Sequence, residues 1–314
     1  MTPSAALEAM MDGAAVDWSK GAAWQRGRVV PVGEASIGVT DWGLTHSDIT
    51  YDVVMVIEGA FFRLEDHLDR FEASMRALHL KPAEGREEIA AALHAVVAAS
   101  GLDWSYVSMV CSRGAPTVPG ARDPRLCANH FFAWCVPYVN VIPKDVAARG
   151  AHLHVATGVR RIGEDAVDPK VKNYHWGDFT AGLFEAYEHG ADTVLLTAAD
   201  GTVAEGPGFN VFAVKDGRLL TPARHCLEGI TRRTVLEAAA EAGVATEVRD
   251  IPLREFLEAD EVFTATSGGG PVAAVRVDGR ILGNGAEGPV TAVLREAYWA
   301  MTRRAALRTP VIRG

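Results

Sequence analysis

The chain has 314 residues, of which 48% are hydrophobic and 23% charged, and its formal net charge is −9. This acidic balance argues against a nucleic-acid or anionic-membrane surface, and the longest apolar runs are too short to cross a bilayer. The four cysteines show no CxxC spacing, which argues against a disulfide or zinc framework. The N-terminus lacks the basic leader of a signal peptide, so we expect a protein of the reducing cytoplasm.

The first half of the sequence predicts strands and helices in an irregular order. Residues 1–20 are small, polar and alanine-rich, and predict a loose arm or frayed helix. The alternation and the three- and four-residue spacing of apolar residues predict the elements that follow. In chain order these are strands at 28–30, 35–40, 51–57 and 61–63, helices at 64–78 and about 86–99, and strands at 106–111 and 130–137. The Glu58-Gly59 pair predicts a hairpin turn.

The second half shows a similar mixture after a connecting segment at 138–145. The predicted elements are a strand from His152, a helix at 179–189, strands at 194–197, 203 and 210–215, a helix at 231–242 closed by Gly243, a strand at 261–266, a hairpin at 275–282 and a last helix from Pro289. Asp200-Gly201 and Asp216-Gly217 are hairpin signals. Regular βαβ alternation is missing, so we expect an α+β fold with domains at 1–137 and 146–314.

Lys172 lies at the end of a polar segment, directly before the predicted helix at 179–189. A neutral lysine amine attacks an aldehyde to form an imine and can later carry a substrate proton. Taken alone, Lys172 is better explained as a solvent-exposed lysine, and only its context favours the catalytic interpretation.

Glu205 stands in the glycine-rich turn Glu205-Gly-Pro-Gly-Phe-Asn210 between two predicted strands. A carboxylate placed against a pyridine nitrogen keeps that nitrogen protonated, and the protonated ring accepts electrons from a substrate carbon. Lysine and carboxylate together are what pyridoxal 5′-phosphate chemistry requires. The alternative for Glu205 is a solvated glutamate in a hairpin loop.

A phosphate group would need its own binding residues. The segment Leu227-Glu-Gly-Ile-Thr231 leads into a helix, so the amides of Ile230 and Thr231 are expected at a helix N-terminus, where an anion is favoured. Thr266 and Ser267, followed by three glycines, could add hydroxyl groups, and Arg70 a positive charge. The alternatives are Thr231 as an N-cap, a flexible glycine turn and a surface arginine.

Together these segments resemble the fold-type IV pyridoxal-phosphate enzymes: branched-chain and D-amino-acid aminotransferases, aminodeoxychorismate lyases and (R)-selective amine transaminases. The resemblance runs from about Gly21 to Trp299. Its five blocks, in family order, are His67–Arg70, Lys172, Glu205-Gly-Pro-Gly-Phe-Asn210-Val-Phe, Leu227–Arg232 and Glu261–Ser267. The resemblance implies a two-domain fold, a Schiff base at Lys172, a pyridine-nitrogen partner at Glu205, a leucine stacking on the ring at Leu227 and phosphate ligands at Arg70, Ile230, Thr231, Thr266 and Ser267. It also implies a homodimer.

The segments His46–Val53, Phe62–His67 and Val171–Asp178 are most similar to the (R)-selective amine transaminases. By that resemblance Tyr51 and Trp176 line the substrate pocket. His46 is a further candidate, with core or rim aromatics as the alternative. Pro119-Gly-Ala-Arg-Asp123 is similar to a loop whose mobile arginine pairs with a keto-acid carboxylate. Arg122 is therefore the candidate for that role, with Arg113 as a substitute.

Two residues depart from the subgroup pattern. Asn140 stands where the interdomain run commonly has a tryptophan, and Trp42 stands where glutamine is common. His152 and His154 alternate on one strand face, but no further ligand cluster accompanies them, so we interpret them as structural and expect no metal site.

The resemblance thus implies an (R)-selective transaminase that moves an amino group from a primary amine to a keto acid such as pyruvate. The alternatives on the same fold are a D-amino-acid or branched-chain amino-acid aminotransferase, or an aminodeoxychorismate lyase. A binding protein that lost catalysis is a third hypothesis, against which the presence of Lys172 and Glu205 argues.

Overall fold

The computed structural model describes residues 16–313, which divide into two compact units. The N-terminal unit comprises the described residues before Asn140, together with Val171–His175 and the residues from Ala305 onward. The C-terminal unit comprises Asn140–Lys170 and Trp176–Arg304. The greater part of the predicted N-terminal arm, residues 1–15, lies outside the described residues. The domain limits at 137 and 146 stay a prediction.

Strands and helices alternate irregularly along the described residues. The strands are β1 (Ala22–Gln25), β2 (Arg28–Pro31), β3 (Ile49–Ile57), β4 (Ala60–Phe62), β5 (Ser105–Ser112), β6 (His130–Pro137), β7 (Ala151–Val155), β8 (Thr193–Leu195), β9 (Asn210–Lys215), β10 (Arg218–Thr221), β11 (Thr246–Val248), β12 (Glu261–Thr266), β13 (Gly270–Val277), β14 (Arg280–Ile281) and β15 (Arg308–Pro310). The α-helices are α1 (Trp42–Thr45), α2 (Leu64–Ala77), α3 (Arg86–Ser100), α4 (Lys144–Arg149), α5 (Gly177–Glu188), α6 (Ile230–Glu241), α7 (Leu253–Leu257) and α8 (Pro289–Met301).

The N-terminal unit is built on a seven-stranded antiparallel sheet with the strand order β15-β4-β3-β5-β6-β1-β2. The apolar residues of α2 recur at three- and four-residue intervals, which gives that helix one buried face. Leu68 and Phe71 on this face join Leu93 of α3 and Phe131 of β6 in one core cluster. The sheet and both helices therefore share a single hydrophobic core.

The C-terminal unit holds a mixed eight-stranded sheet. Seven strands follow the order β11-β10-β9-β12-β13-β7-β8, and β14 pairs with β13. Adjacent hairpin strands pair antiparallel, whereas β7 pairs parallel to both β8 and β13, and β10 pairs parallel to β11. The α+β class predicted from the sequence is confirmed. None of the helices between residues 16 and 313 is both long and apolar enough to cross a membrane.

Most local predictions are confirmed, with three corrections. Glu58-Gly59 and Asp216-Gly217 both adopt the paired positive φ angles (52° and 72°, 49° and 71°) that a two-residue hairpin needs. The predicted strand at 35–40 is wrong, because this segment has no strand partner and forms turns and irregular structure. Val203 forms only an isolated bridge with Thr197. The helix expected from residue 231 begins at Ile230.

Candidate active site

Lys172 is fixed to the N-terminal unit through its backbone. Its amide donates to Ser74 Oγ at 3.3 Å, and its carbonyl oxygen accepts from Thr50 Oγ1 at 2.6 Å and from the Tyr51 amide at 3.3 Å. The Nζ atom lies 4.4 Å from the centroid of the Tyr51 ring, which itself stacks on Tyr174 at 4.1 Å. The structure therefore brings Lys172 together with Tyr51, one of the predicted pocket residues. Tyr174, which the sequence analysis did not single out, completes the stack.

Arg70, predicted to bind phosphate, is held by a buried carboxylate in the same unit. Asp52 on β3 is fully buried and accepts from Arg70 Nε at 2.7 Å and Arg70 Nη2 at 2.8 Å. The same carboxylate accepts from the Val53 amide at 2.7 Å and lies 2.8 Å from His67 Nδ1. Burial alone would raise the pKa of Asp52, but the Arg70 guanidinium and these hydrogen bonds outweigh it and hold that pKa well below its usual range. His67 and Arg70, the first and last residues of the His67–Arg70 block, thus share the Asp52 carboxylate.

Glu205 belongs to the C-terminal unit, where both of its carboxylate oxygens are held. Its side chain is buried; Oε1 accepts from Arg161 Nε at 3.2 Å and Oε2 from the Leu227 amide at 2.9 Å. The turn that carries it is tight, because a Cβ on Gly206 would lie 2.5 Å from the Val194 carbonyl oxygen. A fixed carboxylate beside a glycine backbone is compatible with a flat ring packed close to it.

Arg161 connects Glu205 to a second carboxylate and was missed by the sequence analysis. It is buried, and its Nη1 donates to Asp178 Oδ2 at 2.6 Å. Its guanidinium carbon lies 4.3 Å from the centroid of the Phe179 ring, a cation–π contact. The same Asp178 oxygen accepts from the Ile162 amide at 2.8 Å. No local pattern marks Arg161, since its partners are distant in sequence.

The predicted phosphate residues gather at the first turn of α6. Gly229 is the N-cap and supplies no side-chain cap, so the first amides, including those of Ile230 and Thr231, are not capped by a side chain. Thr231 Oγ1 and Ser267 Oγ are 3.5 Å apart, and Thr266 Oγ1 accepts weakly from the Gly268 amide at 3.4 Å. Thr231 as N-cap is therefore wrong. The hydroxyls of the two predicted phosphate segments meet at a helix N-terminus.

Leu227 is positioned by hydrogen bonds to both its backbone N–H and its backbone carbonyl group. Its amide donates to Glu205, and its carbonyl oxygen accepts from Asn210 Nδ2 at 2.8 Å. A Cβ on Gly229 would lie 2.1 Å from Asn210 Oδ1, so a side chain here would require the Asn210 amide to move. The Glu205 turn and the α6 loop are thus locked together by hydrogen bonds.

The predicted aromatic pocket residues lie in different units. His46 in the N-terminal unit is exposed, and its ring stacks on Trp42 at 4.4 Å between centroids. Trp176 belongs to the C-terminal unit, where its ring meets Phe179 edge-on and approaches Gly208. Trp42, the unexplained departure from the subgroup, is therefore a platform for the His46 ring.

The two arginine candidates differ in how they are held. Arg113 is buried and donates to both carboxylate oxygens of Asp48 (2.8 and 3.1 Å) and to the carbonyl oxygens of Leu78 and His79. Arg122 is exposed and makes no hydrogen bond or ion pair within residues 16–313. Movement toward a substrate would cost Arg113 four hydrogen bonds, whereas Arg122 has none of these to lose.

Asn140 lies beside the glycine loop that follows β12. Its Oδ1 is 3.7 Å from the position that a Cβ on Gly269 would occupy, and the neighbouring Val141 amide donates to the Gly268 carbonyl oxygen at 2.8 Å. An amide side chain thus stands beside the predicted phosphate loop, at the position where the subgroup resemblance implies a tryptophan.

The two histidines of β7 take part in structural contacts. His154 is buried between two carboxylates, with Nε2 3.1 Å from Glu185 Oε1 and Nδ1 2.9 Å from Asp278 Oδ1. His152 Nε2 accepts from the Gly279 amide at 3.1 Å. Within the described part of the chain, no group of three or more metal-binding side chains forms.

Comparison with known proteins finds relatives over most of the chain. The sequence model of the family described as Amino-transferase class IV matches residues 50–276. Branched-chain-amino-acid aminotransferase-like protein 2 of Arabidopsis thaliana is 31% identical over 282 residues, covering 89% of this chain and 50% of that protein. The match to a second Arabidopsis protein, branched-chain-amino-acid aminotransferase-like protein 1, covers 52% of that protein. The chain therefore spans about half the length of these two relatives.

Relatives of similar length carry more than one description. The D-alanine aminotransferase of Listeria monocytogenes serotype 1/2a is 27% identical, with 84% of this chain and 90% of that protein covered. Among solved structures, the branched-chain amino acid aminotransferase of Thermobaculum terrenum in its PLP-bound holo form has a TM-score of 0.81 at 27% identity, covering 93% of this chain and 98% of that one.

Proposed function

This chain belongs to the class IV aminotransferase family, and from that premise we propose that it is an aminotransferase that uses pyridoxal 5′-phosphate. The observation that carries the proposal is the buried Glu205 carboxylate, whose two oxygens are fixed by Arg161 and by the Leu227 amide. A protonated pyridine nitrogen is the kind of cation that such an anchored anion pairs with.

The residues present fit this cofactor. The first turn of α6 offers backbone amides without a capping side chain, and the hydroxyls of Thr231 and Ser267 lie beside each other. That donor set suits a phosphate dianion. Ile230, Thr231, Thr266 and Ser267 would hold the phosphate, with Arg70 adding positive charge. Leu227 would contact the ring and Glu205 its nitrogen.

Bound pyridoxal phosphate supplies an aldehyde that condenses with primary amines and a ring that takes up electrons from the substrate's Cα. Lys172 provides the amine that retains the cofactor between turnovers, and its Nζ then carries the proton that leaves the substrate's Cα. Glu205 keeps the proton on the ring nitrogen. The backbone contacts of Lys172 to Ser74, Thr50 and Tyr51 hold the start of this side chain in place.

We infer further that the amino donor is a primary amine of (R) configuration and the acceptor a keto acid such as pyruvate. The likeness of His46–Val53 and Val171–Asp178 to the (R)-selective amine transaminases supports this. The stacked Tyr51 and Tyr174 rings beside Lys172 would favour an aryl group on the donor. Arg122, which is exposed and unpaired within the described residues, would pair with the acceptor carboxylate.

A second candidate is transamination of branched-chain amino acids, which the descriptions of the Arabidopsis and Thermobaculum terrenum relatives favour. The two activities differ in which amino donor reacts with the cofactor-loaded protein when no keto-acid acceptor is present. The reaction is followed by the visible absorption band of the cofactor-loaded protein. We expect an (R)-arylalkylamine to bleach this band and the (S)-amine to leave it unchanged. If L-leucine bleaches the band and neither arylalkylamine does, the branched-chain aminotransferase activity is supported instead. Repeated turnover of aminodeoxychorismate without any keto acid would indicate a lyase, because a transaminase without an acceptor stops after one equivalent of product.

The cofactor assignment has its own test. Borohydride treatment of the loaded protein, followed by peptide mass spectrometry, should place the cofactor on Lys172. The Lys172→Ala variant should lose both the adduct and the half-reaction. Lys170→Ala is the matched control, because Lys170 is exposed and pairs with Glu228. Failure of the wild-type protein to acquire a visible band with added cofactor would refute the assignment.

We also propose that the protein is a homodimer of the cytoplasm, as the family resemblance and the four free cysteines suggest. Light scattering coupled to gel filtration would give the mass of the particle. A monomeric mass in the loaded enzyme would contradict the dimer.

A further inference from the structure

Arg161 is shared between two carboxylates of the C-terminal unit. The shorter contact is with Asp178, at 2.6 Å from Nη1, and the longer one is with Glu205, at 3.2 Å from Nε. The Phe179 ring covers the guanidinium. All three charged side chains are less than one eighth exposed. The group is therefore a largely desolvated carboxylate–guanidinium–carboxylate triad.

The triad carries one negative charge in excess. Glu205 and Arg161 alone would be neutral as a pair, and a neutral pair has little attraction for a further cation. Asp178 restores the net negative charge. The nearby Cys226 thiol does not alter this sum, because burial, with Glu205 adding to it, raises its pKa to about 12. Arg232, the other cation near Cys226, donates to Thr221 Oγ1 and to the Pro222 carbonyl oxygen.

We propose that Asp178 is a positioning residue that acts through Arg161, drawing the guanidinium away so that Glu205 keeps the charge needed to hold a protonated ring nitrogen. This inference rests on the proposed pyridoxal-phosphate function and adds to it the group that sets the strength of the Glu205 contact. Because Asp178 competes for Arg161, its loss should tighten the Arg161–Glu205 pair and weaken the attraction of Glu205 for a cation.

Asp178 also has a structural role, which the test must separate. Its Oδ1 accepts from the Phe179 amide and its Oδ2 from the Ile162 amide, both at 2.8 Å, so it ties the start of α5 to the 161–162 segment. A purely structural residue would change stability without a specific change in cofactor affinity.

Asp192 offers a closely matched control. Like Asp178, it is a mostly buried aspartate in the C-terminal unit that accepts from an arginine, here Arg149 at 2.5 and 3.1 Å, and from a backbone amide, that of His152 at 2.8 Å. Its side chain is 16% exposed, against 11% for Asp178. Among the described residues it has no hydrogen bond to Glu205 or Arg161. Asp178→Asn and Asp192→Asn therefore remove the same charge from similarly buried aspartates, and they differ in that Arg149 is 56% exposed and Arg161 is 6% exposed.

The experiment titrates each apo protein with pyridoxal 5′-phosphate by absorbance and measures the melting temperature of each apo protein. We expect Asp178→Asn to raise the Kd by about tenfold, the effect of one pKa unit of lost interaction, and to move the titration of the bound cofactor's visible band to lower pH. Asp192→Asn should bind as the wild type does, with a loss of melting temperature no larger than that of Asp178→Asn, because its arginine partner is more exposed. Asp178→Glu, which keeps the charge, should restore most of the affinity.

Coupling to Glu205 is the deciding measurement. In a Glu205→Gln background, Asp178→Asn should have little further effect on the Kd, because the carboxylate through which it acts is gone. Three outcomes would overturn the inference and leave the cofactor assignment standing. They are an undiminished effect of Asp178→Asn on the Kd in the Glu205→Gln background, an unchanged Kd in the Asp178→Asn single variant, and an equal loss of cofactor affinity in Asp192→Asn. No uptake of cofactor by the wild-type protein would overturn both.

Discussion

Replacing Asp52 with alanine should be among the most destabilising single changes in the N-terminal unit. The fully buried carboxylate accepts two hydrogen bonds from Arg70, one from the Val53 amide, and contacts His67. Alanine leaves a guanidinium that is only 13% exposed without this partner. Breaking a buried pair on one side costs about 3–5 kcal/mol. We take about 3 kcal/mol, roughly a 150-fold change in the unfolding equilibrium, because Arg70 has a further contact.

Urea unfolding of the apo protein, followed by circular dichroism, measures this change. Asp69→Ala is the matched control, since Asp69 precedes Arg70 on α2 but pairs with Arg86 at the surface, where its side chain is 69% exposed. The control should leave the unfolding midpoint unchanged. Equal midpoints for Asp52→Ala and Asp69→Ala would refute the reasoning that the buried carboxylate stabilises this unit.

The pH dependence follows from the sign of the Asp52 shift. Burial opposes ionisation, but Arg70 and His67 outweigh it, so the pKa of Asp52 is lower in the folded state than in the unfolded chain. Its contribution to stability is therefore complete above the unfolded pKa of about 4 and is lost as pH falls toward the folded value. Burial lowers the pKa of His67 and Asp52 opposes that shift, so losing Asp52 adds a His67 penalty as the solution becomes acidic. The difference in stability between wild type and Asp52→Ala should therefore not shrink between pH 8 and 5, and should shrink only in stronger acid.

Two further predictions concern the binding residues. Gly229→Ala should weaken pyridoxal-phosphate binding and lower stability by about 1–3 kcal/mol, since the new methyl group would lie 2.1 Å from Asn210 Oδ1; a crystal structure showing α6 unmoved, with unchanged affinity, would contradict this. Arg122→Ala should raise the KM for pyruvate by about tenfold or more, as loss of a charged hydrogen bond does, and leave the KM for the amine unchanged. Arg125→Ala is its control, because Arg125 lies in the same exposed loop and is paired with Asp123; steady-state kinetics in which both variants behave alike would count against Arg122.

The elements that the sequence predicted correctly are those encoded by neighbouring residues. The helix at Leu64 follows from the spacing of its apolar side chains, and the turns at Glu58-Gly59 and Asp216-Gly217 follow from a glycine at the second turn position, which adopts positive φ readily. The segment 35–40 was misassigned as a strand because alternation alone does not supply a hydrogen-bonding partner. An isolated strand pattern without a neighbour does not form a sheet.

The candidate site divides in the same way. Motifs that are contiguous, such as Glu205–Asn210 and Leu227–Thr231, could be recognised from the sequence, and the family match over residues 50–276 agrees with that recognition. Their individual roles stay predictions. The sequence also suggested that Arg113 could replace Arg122, and only the structure shows that Arg113 is bound to Asp48 and two carbonyl oxygens.

The sequence by itself determined the class of fold, the order of most elements and the residues that could carry the chemistry, because periodicity, turn residues and short motifs are properties of adjacent positions. Only the tertiary structure decided which charges meet. Asp52 lies 18 positions from Arg70, and Arg161 lies 17 positions from Asp178 and 44 from Glu205. Ion pairs of this kind depend on which distant segments the fold brings together and on which side chains become buried there. No local sequence pattern specifies either.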